Sequence, residues 1–500
     1  MRNALNATGR DIYYSICEWG VDFPSSKNLM PRSLNETFAE YLHQIVDWAP
    51  PLGNTWRITN DIIPAWRTVF RQLNQFVPSA GYAAPGRWPD LDMLEVGNNV
   101  FTEPEEQTHF ALWAIAKSPL IMGCALNDTY TTVAKSSLDI LSNRHVIGYN
   151  QDSLGKAANL TRRYSKAGFD VWAGPLSGGR TIAALINWNN ETVTGTLNLP
   201  DVGLQSAGSA LDVWNQKSVQ NIVTSYSAEI AAHGTLLLEL RDTTPAGTYE
   251  AERCGHSHSG GITFSNVYGL TDSSEYTLTV QAAGIRGEEI TVTTSASNKP
   301  VKAKLQGGSA AVFITLSAVN DNTITIQTMA RITAIHVSTP KGKFYPSTAF
   351  SVSGTAAHQN CTPGLCAPVG SKITNLTQNG AATISIPRSS GAFGSSRFVN
   401  ITWINNDVAL ATSWTTGTNS RNITIAVNDA APVRLEVPLS GRTSELFSPM
   451  RGWGDPSTLG VLVDGFGTGQ GKDTVVISNA DGNAGVQGYG ADFVGFQLLG

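Results

Sequence analysis

Hydrophobic and polar positions change rhythm once along the chain, near residue 155. Before it, short apolar runs alternate with helical patterns. Residues 11–19 (DIYYSICEW) are rich in β-forming side chains. A strand running up to Asp61 is followed by a helix carrying Trp66 and Phe70. Residues 93–96 and 120–122 are short apolar segments after Pro-containing turns. Residues 104–117 (PEEQTHFALWAIAK) predict a helix, with proline in its first turn and acids where the helix dipole favours negative charge. This alternation of strand and helix predicts a parallel sheet.

After residue 155 the 3.6-residue period disappears. Residues 170–172, 180–188, 191–199, 210–213 and 234–240 read as strands of an antiparallel sandwich, joined by turns containing Gly, Asn or Pro. The stretch TTPAG at 243–247 reads as a linker. A third unit, all β, spans about 249–327. A fourth begins near residue 335, with alternating runs at 398–404 and 433–437. The predicted class is therefore multidomain α/β plus all-β, divided at 1–154, 155–242, 246–332 and 333–500.

Composition narrows the function classes. The chain has 500 residues, enough for about three domains. Its net charge is −5, and basic tracts are absent, which argues against nucleic acid as a partner. Charged residues make up 15%, below the roughly 25% of average soluble chains. Ser, Thr and Asn supply the polarity instead, as in turn-rich β proteins and secreted ones. The most apolar stretch, 109–126, is broken by Lys117 and Pro119 and falls short of the ~20 residues a membrane helix needs. The N-terminal MRNALNATGRDIYY lacks the apolar core of a signal peptide. Nine Asn-x-Ser/Thr sequons, among them Asn159, Asn190, Asn375 and Asn422, are compatible with secretion. Of five cysteines, Cys361 and Cys366 flank a Thr-Pro-Gly-Leu turn and can close a small disulfide loop; zinc-type spacing is absent.

Three clusters can carry chemistry. Cys17-Glu18-Trp19-Gly20 ends a predicted strand, the end that faces the active site in β/α barrels; the plainer reading is a strand end with a packing Trp. Arg57 and Asp61, in WRITNDI, lie four apart and can converge on one ligand; the plainer reading makes Asp61 an N-cap. Asp90 and Asp92, in GRWPDLDM, can point to the same side, or be two solvated acids in a loop. Cys254-Gly-His256-Ser-His258 lacks a fourth metal ligand. Glu103, Glu105 and Glu106 read as helix-start charges. Asn479 to Asn483 reads as a turn rather than a calcium loop. Paired carboxylates with an aromatic wall and an Arg suit glycoside hydrolysis.

These residues resemble a known family. YYSICEWG, GNTWRITNDI, APGRWPDLDMLEVGN, ALWAIAKSPLIMG and VIGYNQDSLGK follow one another as in the later half of the retaining α-galactosidases of glycoside hydrolase family 27, fungal ones in particular. The likeness covers residues 1–155 and, more loosely, the sandwich to about 241. It implies the C-terminal half of a (β/α)8 barrel followed by β-sandwich domains, and an α-galactoside oligosaccharide or polysaccharide as substrate. It further implies no cofactor or metal, no membrane partner, and a secreted parent. By the same resemblance Asp61 is the general acid/base and Arg57 binds a galactose hydroxyl. Cys17, Glu18 and Trp19 surround the 2-hydroxyl, and Asp92 and Met93 form the sugar floor. The stretch from GSKI through VRLEVPLSGRTSELF resembles carbohydrate-binding β-sandwich modules. Among its residues, Trp403 alternates with aliphatics and is expected in the core, and Trp453 is expected to be exposed for sugar stacking.

Two departures from the family shape the expectation. Its nucleophile, an Asp in a KxDxC-type motif on an earlier strand, does not occur here, so the resemblance implies a truncated barrel and a chain inactive by itself. Residues 27–47 read as an insertion, either translated intron or a short helix with a Ser33/Glu36 capping box and a stripe of Leu34, Phe38, Leu42 and Ile45. The alternative function is carbohydrate binding without catalysis, through the C-terminal β modules.

Overall fold

The computed structural model describes residues 1–17, 49–126, 133–283, 287–318, 321–361, 363–388, 391, 393–405, 417–441, 455–480 and 488–500. Glu18, Trp19, Gly20, the 27–47 segment, Trp453, Asp481 and Asn483 therefore lie outside the described residues.

Three short strands, β1 (Ser15–Cys17), β2 (Thr55–Arg57) and β3 (Trp88–Asp90), form the expected parallel sheet in that order. Their register places Cys17 beside Arg57 and Arg57 beside Asp90, so the three C-terminal residues stand in one row. Helix α1 (Arg67–Phe76) links β2 to β3 and buries Val69, Leu73 and Phe76 at helical spacing. Helix α2 (Glu103–Ile115) is apolar all round in its second half, from Phe110 to Ile115, and is correspondingly buried. It stops where Lys117 takes a left-handed φ of 62°. Its acids do more than complement a dipole. Glu105 reaches back to accept from the Thr102 amide at 2.7 Å. Glu106 is buried and accepts from the Gly97 amide (2.8 Å) and the Ser137 hydroxyl (2.7 Å). Helices α3 (Lys135–Leu141) and α4 (Arg144–Asn150) close this part.

The next unit is a six-stranded sheet of order β4-β5-β6-β11-β8-β9, with β7 and β10 pairing separately. These are β4 (Asn159–Tyr164), β5 (Phe169–Leu176), β6 (Arg180–Asn187), β7 (Val193–Asn198), β8 (Leu204–Asp212), β9 (Lys217–Val223), β10 (Ser225–Ile230) and β11 (Thr235–Pro245). The run Ile182-Ala-Ala-Leu-Ile186 is continuously apolar because β6 is covered on both faces. Ile182, Ala184 and Ile186 join the core of the β/α part, while Ala183 and Leu185 face the sandwich interior. The stretch at 243–247 is not the expected linker. Strand β11 runs through it to Pro245, pairing Thr243 with Ala207 and Thr244 with Ser206, and Gly247 makes the turn at φ 83°.

In the third unit, Thr248–Glu250, Arg331–Ser338, Ser273–Ala283 and Ser309–Leu316 form one sheet; five further strands between Gly255 and Gln327 form the other. Ile335 pairs with Tyr249 and Val280. The boundary expected at 332/333 thus falls inside a strand of this unit, because its sheet needs Arg331–Ser338 to join its first strand to Ser273–Ala283. The last unit begins with Gly342–Pro346. Its core holds Val399, Ile401 and, as expected, Trp403, whose Nε1 donates to the Pro438 carbonyl. Cys361 and Cys366 form the anticipated disulfide. Cys254 is buried, with burial pushing its thiol up to about 11, while His256 and His258 are exposed on a hairpin; among the described residues no group of three potential ligands assembles around a metal site.

Candidate active site

The row Cys17, Arg57, Asp90 marks the carboxyl end of the sheet, where β/α barrels place their chemistry. Beyond it the chain turns twice. After β2 it continues through Ile58, whose amide donates to the Asp90 carbonyl at 3.0 Å, to Asp61. After β3 it reverses at Asp92, which holds a φ of 89°, a conformation that non-glycine residues adopt only under constraint. The constraint is visible. The Asp92 amide donates to Asp90 Oδ1 (2.8 Å), and its carbonyl accepts from Trp113 Nε1 (2.8 Å). Its carboxylate accepts from the Ile62 amide (2.7 Å) and the Met93 amide (2.8 Å).

The Arg57 guanidinium is forked between two acids. Nη1 meets Asp61 Oδ1 at 3.0 Å and Nη2 meets Asp92 Oδ1 at 2.6 Å. The acids differ in setting. The Asp61 side chain is 51% exposed, that of Asp92 7%. Burial raises the pKa of Asp90 and of Asp92, with Arg57 opposing the shift in both. Cys17 is also raised, chiefly by burial; Arg57 opposes, and Asp61, Asp92 and Asp90 add. Met93 is exposed at the same end.

Arg57 and Asp61, expected to converge on one ligand, are paired with each other, and Asp90 and Asp92 are buried and linked through the Asp92 amide rather than solvated. The N-cap reading of Asp61 does not hold: α1 begins at Arg67, six residues on. What holds the Asp61 segment is instead a pair of side chains from α1. Arg71 Nη2 donates to the Asp61 carbonyl and Gln72 Nε2 to the Asn60 carbonyl, both at 2.8 Å. Sequence reasoning missed these two residues. The available signal was polar side chains at the inward positions of RTVFRQLNQF, where a helix on a core would otherwise be apolar. His109 was missed as well. It is fully buried, desolvation lowers its pKa to about 3, and its Nε2 accepts from the Glu95 amide at 3.0 Å.

Comparison with known proteins adds a family. A family described as "Alpha galactosidase A" matches residues 1–152, and one described as "Alpha galactosidase C-terminal beta sandwich domain" matches residues 166–240. The whole chain aligns at 49% identity with 73% of a protein named "Probable alpha-galactosidase D" from Aspergillus terreus. It aligns at 43% with 72% of "Alpha-galactosidase D" from Emericella nidulans, again over its full length. Among solved structures, α-galactosidase I from Mortierella vinacea is 27% identical, with 49% of this chain and 62% of that one covered at a TM-score of 0.42. Taken with the α/β part and the β-sandwich in the same chain order, this identity over the full length means that the chain belongs to the α-galactosidase family.

Proposed function

We propose that these residues serve the retaining hydrolysis of terminal, non-reducing α-D-galactosyl groups from oligosaccharides and galactomannan-type polysaccharides, with Asp61 as general acid/base. The observation that carries this reading is the forked Arg57, which holds an exposed and a buried aspartate at the carboxyl end of parallel strands. Asp61, the exposed one, is open to a glycosidic oxygen. It delivers a proton as the C1–O bond breaks, then takes one from the water that releases the galactosyl-enzyme. Arg57 lies beside it to bind a sugar hydroxyl. Asp92 fixes Arg57, and Met93 offers an apolar floor. Cys17, with Glu18 and Trp19 after it in sequence, borders the 2-hydroxyl. On this reading Asp61→Asn is expected to lower kcat/KM on an unactivated α-galactoside by about 10²–10⁴-fold. Equal activity in the two proteins would remove Asp61 from this role.

A second reading is glycan binding without cleavage by the 500-residue polypeptide. It is favoured by the state of the other two acids, since Asp90 and Asp92 are buried and already bonded within the turn. A retaining reaction needs a second carboxyl group about 5–5.5 Å from the first and free to attack. On this second reading the chain is expected to show no turnover of an aryl α-galactoside while retaining affinity for galactosides or plant polysaccharides. A covalent galactosyl adduct on Asp90 or Asp92 would overturn this expectation. Passage through the secretory route belongs to the same proposal. Asn190 and Asn375 are exposed sequons that can carry glycan, whereas Asn422 is buried.

A further inference from the structure

Helix α1 has two sides. One presents Arg71 and Gln72 to the Asp61 segment. The other meets the last β unit, more than 340 residues later in sequence. There Asn419, buried and in the left-handed region at φ 50°, donates from Nδ2 to the Arg71 carbonyl (3.3 Å) and to Gln75 Oε1 (3.0 Å). Asn74 Nδ2 donates to the Thr418 carbonyl at 2.8 Å, and the Leu439 amide donates to the Asn74 carbonyl at 3.2 Å. A third tie passes through Arg163 of β4. Its guanidinium is paired twice with Asp170, at 2.7 and 2.6 Å, lies 4.9 Å from the centre of the Phe70 ring in α1, and donates to the Glu436 carbonyl of the last unit. Residues 70, 71, 74 and 75 of α1 are therefore clamped from the last unit's side, and Arg71 is common to both sides of the helix.

We propose that the C-terminal β-sandwich is a working part of the acid/base loop, and that Asn419 is a positioning residue that acts through Arg71 to set the place of Asp61. The chain of contacts is short: Asn419 to the Arg71 carbonyl, Arg71 Nη2 to the Asp61 carbonyl, and Asp61 Oδ1 to Arg57. The first two links involve the buried Asn419 and Arg71, where geometry is held tightly; the third reaches the half-exposed Asp61 carboxylate. A carboxyl group that must protonate a leaving oxygen is sensitive to such placement, since displacement by about 1 Å can cost 10²-fold in rate. On this view the last unit is more than a tethered glycan-binding module.

The inference rests on Asp61 being the acid/base, so the test separates the two. Asn419→Ala and the milder Asn419→Ser are compared with the parent protein on an alkyl and on a nitrophenyl α-galactoside. Protonation of the leaving group matters for the first and little for the second. A displaced Asp61 lowers kcat for the alkyl substrate by up to about 100-fold, and much less for the nitrophenyl one. General loosening of the fold lowers both alike. Hydrogen exchange of peptides covering residues 59–76 is measured on the same proteins and needs no activity. Faster exchange there in both variants, with the selective loss on the alkyl substrate, supports the proposal. Faster exchange with a parent protein that cleaves neither substrate supports the Asn419–Arg71 coupling while removing the hydrolytic reading. Unchanged exchange at 59–76, or equal loss on both substrates, overturns the proposal.

Discussion

Arg57 shows how much one side chain decides at this site. A guanidinium has donors in a fixed fork, which an ammonium lacks, so it can hold Asp61 and Asp92 in separate directions. His109 shows the reverse case, a titratable group kept neutral. It sits fully buried against Trp113, ring centres 4.1 Å apart, and accepts from the Glu95 amide close after Asp92 and Met93. Its pKa is lowered to about 3 by burial, against about 6.5 in an unfolded chain. The unfolded state therefore binds the extra proton first. The stability His109 contributes is complete above pH ~6.5 and is lost as pH falls toward about 3, at ~1.4 kcal/mol per pH unit. Replacement by Gln, which can still accept from Glu95, is expected to flatten the acid limb of stability against pH. Denaturant titrations between pH 7 and 4 check this, and parallel curves for the two proteins would argue against it.

Among the elements, β6 carries the most weight. Its two faces belong to two cores, so a single strand joins the β/α part to the sandwich. The same seam is lined by rings: Trp66 stacks on His233 at 5.2 Å, and Phe70 meets Trp188 edge-on at 4.8 Å. His233 in turn bonds Glu105 of α2 at 2.6 Å. Truncating Ile182 to Ala on the seam-facing side opens a cavity that neither core can collapse around. A loss of about 2–5 kcal/mol in unfolding free energy is expected. Urea unfolding checks it, and a loss below about 1 kcal/mol would mean that the seam repacks.

Across the whole molecule, the units are joined by buried polar contacts rather than by spacers. Arg162 of β4 pairs with Asp201 at 3.2 Å, donates to the Gly460 carbonyl at 2.9 Å, and lies 4.4 Å from the centre of the Phe398 ring. Thr271 of the third unit donates to the Leu499 carbonyl at 3.1 Å and accepts from the Phe398 amide at 3.2 Å. Burial of charge this deep is costly unless both members are paired, which makes such joints specific to one arrangement. It also explains why the stretch at 243–247 misled: Thr and Pro at a strand end have the composition of a linker, and only a paired neighbour reveals that the strand continues.

Local physics made much of this legible in advance. The β/α alternation, the helix beginning beside Pro104, strands such as Arg397–Ile404 and Val433–Val437, the Cys361–Cys366 loop and the buried Trp403 all follow from periodicity, spacing and turn chemistry. That Arg57 and Asp61 lie close together was legible too, because four residues separate them. The tie from Arg57 to Asp92, the support of Asp61 by Arg71 and Gln72, and the grip of Asn419 on α1 were not. Each joins residues from different elements through one or two directed hydrogen bonds, and such bonds leave no period in a sequence. Hydrophobic pattern specifies which face of an element is buried; only the assembled fold decides which buried polar groups meet, and here those meetings hold the Asp61 segment in place.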